Sequence, residues 1–147
     1  MRRRAFLIVT AVFLVAGDSP KDKGTKKDME KLLGTWSCVS GQVNGKPIQD
    51  ETVKLLKLKM TADSYTTTKG DETLFVGAYR LDSTTNPKSI DIIATDGENE
   101  GKVALGIYDV DGDSCKLCYT MGVERPKEFA SKPGSGAFFA IWKRAKP

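Results

Sequence analysis

Three aspartates alternate along one short stretch, at Asp109, Asp111 and Asp113. Carboxylates spaced in this way open many calcium-binding loops, but those loops need glycine at the sixth position and glutamate at the twelfth. Here Gly112 stands fourth and Thr120 stands twelfth. The same residues fit a tight hairpin turn better, because an Asp-Gly pair supplies the positive φ that such a turn requires. We therefore expect a solvated turn at this position and no metal site.

Two cysteines, Cys115 and Cys118, form a Cys-x-x-Cys pair. Zinc sites with this spacing need two further ligands, and the redox form of the motif usually begins a helix. The chain has no histidine and one other cysteine, Cys38. Since residues three apart in a strand point to opposite faces, we expect structural cysteines. Cys38 and Cys115 are both expected on the inner face, and a disulfide between them is an alternative in an oxidising compartment.

The absence of histidine from the sequence also removes the commonest general base, the Cys–His pair and the Ser–His–Asp triad. The two charges in the most apolar surroundings are Asp91, between two isoleucines, and Arg125, before a proline. Buried charges are generally paired, so we expect these two to form an ion pair that holds the loop after residue 120. A functional role for the pair is the alternative. We predict that the protein is not an enzyme and uses no cofactor.

The formal net charge of +4 would suggest a nucleic-acid partner if the basic residues were clustered. However, residues 2–4 are arginines, and without them 20 basic residues stand against 19 acidic ones. Binding through phosphate neutralisation needs a basic face, which the near-neutral remainder does not provide. We expect no nucleic-acid partner.

Residues 1–17 have the pattern of a secretory signal peptide. The arginines at 2–4 precede an apolar run at 5–16, which is shorter than the roughly 20 residues of a membrane span. We predict Sec-type export to the periplasm or the cell exterior, cleavage after Gly17 and no stable membrane anchor afterwards. Twin-arginine export and a retained anchor are the alternatives. Residues 18–31 are charged and nearly free of apolar side chains, which predicts a linker, with a short helical turn at its end.

The remaining segment, 32–147, predicts one all-β domain. Its central feature is a hairpin of residues 103–110 and 114–120 around Gly112. Further short β-type runs, separated by Gly, Asn, Asp and Pro turns, stand at 33–40, 53–60, 65–69, 74–82, 90–94 and 138–144. About eight short strands at this spacing favour an antiparallel up-and-down barrel, since closure removes exposed sheet edges.

The first strand opens with Gly34-Thr35-Trp36 and the last ends at Arg144. This pattern resembles the G-x-W signature of lipocalins and related calycins, in which a basic residue of the last strand packs over the tryptophan. With Asn44-Gly45 and the segments around Asp91, Gly112 and Arg125, the chain resembles a lipocalin-like domain of unknown function that is abundant in planctomycete bacteria. The resemblance implies structural roles for Gly34, Trp36 and Arg144, and an exported or modular setting. It implies no established activity.

The leading hypothesis is non-catalytic binding of a small apolar molecule inside the barrel. Side chains proposed to line or cap the site are Trp36, Tyr79, Tyr108, Arg125 and Phe129. The inward orientation of Tyr108 is open, because Leu105 and Ile107 compete for the inner face. The alternative is a structural or protein-interaction module, with an unidentified protein partner, whose interior is filled by its own side chains.

Overall fold

Nine strands and two helices make up the computed structural model, which describes residues 20–122 and 124–145. The helices are α1 (Pro20–Leu32) and α2 (Asp50–Val53). The strands are β1 (Gly34–Val43), β2 (Lys46–Pro47), β3 (Leu56–Met60), β4 (Ser64–Lys69), β5 (Glu72–Asp82), β6 (Ser89–Ala94), β7 (Val103–Asp111), β8 (Ser114–Thr120) and β9 (Phe138–Arg144). The predicted signal peptide and its cleavage position lie outside the described residues. Neither helix is long and apolar enough to cross a membrane.

The sheet closes on itself. From β3 to β9 each strand pairs antiparallel with the next, and β1 pairs with both β3 and β9. The short β2 only extends the end of β1. Eight strands therefore form a closed up-and-down antiparallel barrel, which confirms the predicted fold and is consistent with a lipocalin-like architecture.

Alternation of apolar and polar residues orients the strands. In β3, Leu56, Leu58 and Met60 are buried in the barrel, whereas Lys57 and Lys59 are exposed on its outer surface. The central hairpin of β7 and β8 turns at Gly112, whose φ of 58° requires a residue that tolerates the left-handed region. The predicted strand at 53–60 begins three residues late, because residues 50–53 form the helical turn α2.

Helix α1 covers one end of the barrel: the helical turn predicted at the end of the linker is present, but the helix is longer and starts at Pro20. The segment is poor in apolar side chains, but Leu32 is completely buried and its carbonyl accepts a 2.9 Å hydrogen bond from Trp36 Nε1. The buried carboxylate of Asp28 adds polar contacts that composition does not reveal. We call this end, where β1 starts and β9 finishes, the closed end, and the other the open end.

Candidate ligand cavity

A cavity of about 560 Å³ lies inside the barrel and opens at the open end; along β3 and β4 its wall reaches as far as Met60 and Tyr65. All eight barrel strands contribute to its wall, as do the connections at the open end, including Ile48, Asn99 and Gly136. The wall is mostly aliphatic and aromatic; its deeper members include Leu56, Leu58, Met60, Ile90, Ile92, Leu117 and Trp142. The volume falls within the roughly 300–1,000 Å³ that small-molecule sites occupy.

The mouth of the cavity is apolar. Val43, Phe75 and Met121 line it and are 46%, 49% and 54% exposed, respectively. Lys102 is the charged residue among the described residues of the wall, and it lies exposed at this end. The cavity therefore offers an apolar interior with positive charge only at its entrance.

The closed half of the barrel is filled by side chains. Trp36 and Tyr108 are 0% and 1% exposed and belong to the packed core, and neither lines the cavity. The guanidinium of Arg144 lies 4.4 Å from the centre of the Trp36 ring, as predicted from the resemblance. It also donates to the carbonyls of Lys31 and Leu33, which ties β9 to the end of α1. These residues tie β1, β9 and α1 together at the closed end, away from the cavity wall.

Gly34 is part of the same arrangement. Its φ of 115° is outside the range that other residues readily adopt, and a Cβ there would lie 3.3 Å from Arg144 Nη1. A side chain at this position would therefore strain the backbone and crowd the guanidinium. Its predicted structural role has a direct geometric basis.

Tyr108 points inward, and its hydroxyl donates to Asp28 Oδ2 at 2.7 Å. The same carboxylate oxygen lies 2.8 Å from Lys88 Nζ. Burial, followed by the hydrogen bond to Asp28 and the negative charge there, raises the pKa of the Tyr108 hydroxyl far above its usual range. Ile107 points outward instead, beneath Phe129. Tyr108 thus anchors helix α1 at the closed end.

Tyr79 is the proposed site residue that does line the cavity. Its hydroxyl donates to the carbonyl of Thr61 at 2.6 Å, so the ring faces the cavity while its polar atom is already paired. Burial raises the pKa of this hydroxyl above its usual value.

Two further tyrosines in the wall, Tyr65 and Tyr119, were not among the proposed site residues. By alternation in β8, Tyr119 shares the inner face with Cys115 and Leu117, and Tyr65 is the inward register partner of Met60. What the sequence lacked was their height along the barrel, which depends on how the strands are staggered. Tyr108 belongs to the packed core beside α1, whereas Tyr65 and Tyr119 border the cavity.

Arg125 and Phe129 lie outside the barrel, on a segment of residues 124–137 that crosses its outer surface; we call this segment the strap. Arg125 Nη2 lies 2.6 Å from Asp91 Oδ1, and Nη1 donates to the carbonyls of Ile90 and Gly106. Phe129 packs on an outer cluster of Ile107, Cys118, Ala137 and Phe139. The expected ion pair is present and fastens the strap to β6 and β7.

The three cysteines are free thiols, and all are buried. Trp142 on β9 is the register partner of both Cys38 and Cys115. These cysteines therefore lie on β1 and β8, with β9 between them. Two strand spacings amount to about 9.6 Å, beyond the roughly 6.8 Å that a disulfide bridges between Cα atoms. Cys115 faces the interior whereas Cys118 lies in the outer cluster, as alternation predicted.

Burial also controls the ionisation of the inner thiols. It raises the pKa of Cys38 to about 11 and that of Cys115 to about 12.

The described residues form no metal site. Within residues 20–122 and 124–145, no three His, Cys, Asp or Glu side chains converge on a position that could hold a metal ion. At the hairpin turn, Asp113 lies 3.3 Å from Arg144 Nε.

Trp142 contributes to the cavity wall with an unusual polar atom. Its indole nitrogen is buried and has no hydrogen-bond partner among the described residues. A buried donor without a partner costs about 1–3 kcal/mol. Its counterpart, Trp36, has its indole N–H fully paired.

Comparison with protein-family models, with curated proteins and with solved structures found no match to this chain. The antiparallel barrel is shown by its own strand pairing. Membership in the planctomycete lipocalin-like domain stays a prediction from the residues that resemble it.

Proposed function

We propose that this protein binds a small apolar molecule in the cavity and performs no chemistry on it. The observation that supports the proposal is the cavity of about 560 Å³ with its apolar wall and half-exposed apolar rim. Removing an apolar ligand from water there is favourable by about 25 cal/mol per Å². Apart from tyrosines, Lys102 is the ionisable residue of the described wall, and the absence of carboxylates, cysteines and histidines from that wall supports binding without catalysis.

The alternative, an interaction module with a filled interior, fits the closed half of the barrel better than the open half. Filling is complete around Trp36 and Tyr108, but the wall near Thr67 and Ala104 encloses space. Dry packed interiors leave few voids larger than a water molecule. The hollow open half therefore favours a carrier.

We further propose that the protein acts after export. This part of the proposal depends on residues 1–17 alone, whose charged start and apolar run match a secretory signal.

The test is fluorescence titration with the neutral probe N-phenyl-1-naphthylamine, comparing the wild type with Thr67→Trp. Thr67 lines the cavity, so the added indole fills space that a ligand would occupy. We expect at least about a tenfold loss of affinity, the equivalent of roughly 1.4 kcal/mol. The matched control is Thr66→Trp, whose side chain alternates to the outer surface and should leave binding unchanged.

Two results would contradict the proposal. In one, the wild type gives no saturable fluorescence change with the probe. In the other, the Thr66 and Thr67 variants weaken binding equally, which would place the probe outside the barrel.

A further inference from the structure

Two phenol hydroxyls border the cavity without a partner. Tyr65 and Tyr119 both line it, and neither hydroxyl takes part in a hydrogen bond within the described part of the chain. The other two tyrosines of the barrel differ, because Tyr79 donates to Thr61 and Tyr108 donates to Asp28. The wall is otherwise mainly apolar, and these two hydroxyls add to its unpaired polar atoms, which include the buried indole N–H of Trp142.

Glycines on the neighbouring strands make room for both rings. A Cβ at Gly77 would lie 2.7 Å from Tyr65 Cε1 and 2.9 Å from its hydroxyl oxygen, so that ring lies across the glycine. A Cβ at Gly106 would lie 2.8 Å from Tyr119 Cβ. On its other side the Tyr119 ring contacts Phe138, with ring centres 5.0 Å apart. A side chain in place of either glycine would therefore collide with the neighbouring tyrosine, and the Tyr119 ring is also packed against Phe138.

Both phenol hydroxyls are harder to ionise than the hydroxyl of a free tyrosine. Burial first, and then the proximity of Tyr65, raise the pKa of Tyr119 above its usual range, and burial raises the pKa of Tyr65. Both groups stay neutral at physiological pH, and each can donate one hydrogen bond and accept others.

The charges around the cavity determine which kind of ligand group can hydrogen-bond to these hydroxyls. Transfer of an unpaired charge into an apolar site is far more costly than transfer of a neutral polar group that gains a hydrogen bond. The charged residue of the described wall, Lys102, is exposed at the mouth. A carboxylate would thus be favoured at the mouth, whereas a hydroxyl or carbonyl is favoured inside.

We infer that the occupant is an uncharged, mainly apolar molecule with one hydroxyl or carbonyl group, which hydrogen-bonds to Tyr65 and Tyr119. This inference rests on the proposed function and specifies the ligand class. The cavity volume of about 560 Å³ lies within the roughly 300–1,000 Å³ of small-molecule sites, which fits an occupant of this class.

The experiment is equilibrium dialysis of the purified protein at pH 7 with naphthalene, 2-naphthol and 2-naphthoate. The three probes share one ring system and differ in carrying no polar group, a neutral hydroxyl or a carboxylate. We expect 2-naphthol to bind about tenfold more tightly than naphthalene, as one new hydrogen bond allows, and 2-naphthoate to bind most weakly. In the double variant Tyr65→Phe/Tyr119→Phe, 2-naphthol should lose its advantage while naphthalene binds as before.

Tyr79→Phe is the matched control. It removes a hydroxyl from the same wall, but that hydroxyl is already paired with Thr61, so the preference for 2-naphthol should remain. Thermal unfolding would establish that each variant is folded at the temperature of dialysis.

The outcomes separate the inference from the proposed function. If naphthalene binds but 2-naphthol has no advantage, or keeps its advantage in the double variant, the inference is wrong and the carrier function stands. Tightest binding of 2-naphthoate would likewise overturn it in favour of an anionic ligand. If none of the probes binds, the apolar carrier function itself fails.

Discussion

Two buried tryptophans show how differently the same residue type is used in this barrel. The indole N–H of Trp36 donates to the carbonyl of Leu32 at the closed end, and the Arg144 guanidinium packs over its ring. Trp142 lies one strand away, with its indole N–H buried and unpaired among the described residues. The first residue stabilises the junction of three elements, whereas the second contributes mainly bulk to the cavity wall.

Trp36→Phe should therefore destabilise the protein more than Trp142→Phe. Both changes remove similar apolar area, but the first also leaves the buried Leu32 carbonyl without a partner, and the second removes an unsatisfied donor. We expect the loss in unfolding free energy to be about 1–3 kcal/mol larger at Trp36. Urea unfolding of the two variants measures the difference, and equal losses would contradict the assignment.

The inner thiols make stability depend on alkaline pH. An unfolded cysteine ionises near pH 9.0, whereas burial raises the pKa of Cys38 to about 11 and that of Cys115 to about 12. Because the folded pKa is raised, this contribution is fully present below pH 9 and is lost as the pH rises toward 12. At pH 11 each thiol should cost about 2 kcal/mol relative to pH 8, at about 1.36 kcal/mol per pKa unit.

The measurement is urea unfolding at pH 8, 9, 10 and 11 in the presence of reductant. Cys115→Ala should lower stability at every pH but flatten its decline above pH 9. Val110→Ala, which truncates the register partner of Cys115 on the inner face, should lower stability and keep the full decline. A slope unchanged in the cysteine variant would mean that this thiol is accessible to solvent.

At the scale of the element, helix α1 is a docked part of the barrel. Its attachment depends on Leu32 and on Asp28, whose carboxylate receives bonds from Tyr108 and Lys88. Thr25 adds a weaker contact to Ser83 in the loop between β5 and β6. A helix with so few apolar contacts is held mainly by these specific polar bonds.

A double-mutant cycle between Asp28→Ala and Tyr108→Phe tests this attachment. Hydrogen bonds to a charged group contribute about 1.5–3 kcal/mol, so we expect a coupling energy of that order in urea unfolding. The control cycle pairs Tyr108→Phe with Thr25→Ala, which share no contact and should be additive. Additivity in both cycles would indicate that α1 does not dock through Asp28.

The strands were predictable, whereas only a short turn at the end of helix α1 was, for a physical reason. Strand positions follow from local signals, namely two-residue alternation as in β3 and turn residues such as Gly112, and these signals do not depend on distant contacts. Docking of α1 depends on one buried leucine and one carboxylate that meets Tyr108 far along the chain. In a segment rich in lysine, sequence patterns do not separate such a helix from a solvated linker.

At the scale of the whole molecule, the barrel is divided into a filled half and a hollow half. Which half a residue occupies depends on strand stagger, so the inner face of Tyr79 could be predicted while the depth of Tyr108 could not. Arg125 and Phe129 belong to the strap, whose path outside the barrel is set by tertiary contacts with Asp91 and with the outer cluster around Cys118. Of the five proposed site residues, the cavity therefore retains one, Tyr79.

This division predicts a gradient of local stability along single strands. Amides near Tyr108 at the closed end of β7 are surrounded by packed side chains, whereas those near Ala104 border the cavity. Segments with fewer buried contacts open at lower free energy. Native-state hydrogen exchange should therefore be at least about tenfold slower near Tyr108 than near Ala104, a difference of roughly 1.4 kcal/mol in opening free energy.

Ligand binding should reduce this difference in hydrogen exchange by protecting the amides that border the cavity. Saturation with N-phenyl-1-naphthylamine supplies the contacts that the hollow half lacks, so exchange should slow near Ala104 and change little near Tyr108, where packing is complete without a ligand. The Thr67→Trp variant offers the matched comparison, because its added side chain should slow the same amides in the absence of the probe. Uniform exchange along β7, or protection by the probe confined to the closed end, would contradict a barrel that is packed in one half and hollow in the other.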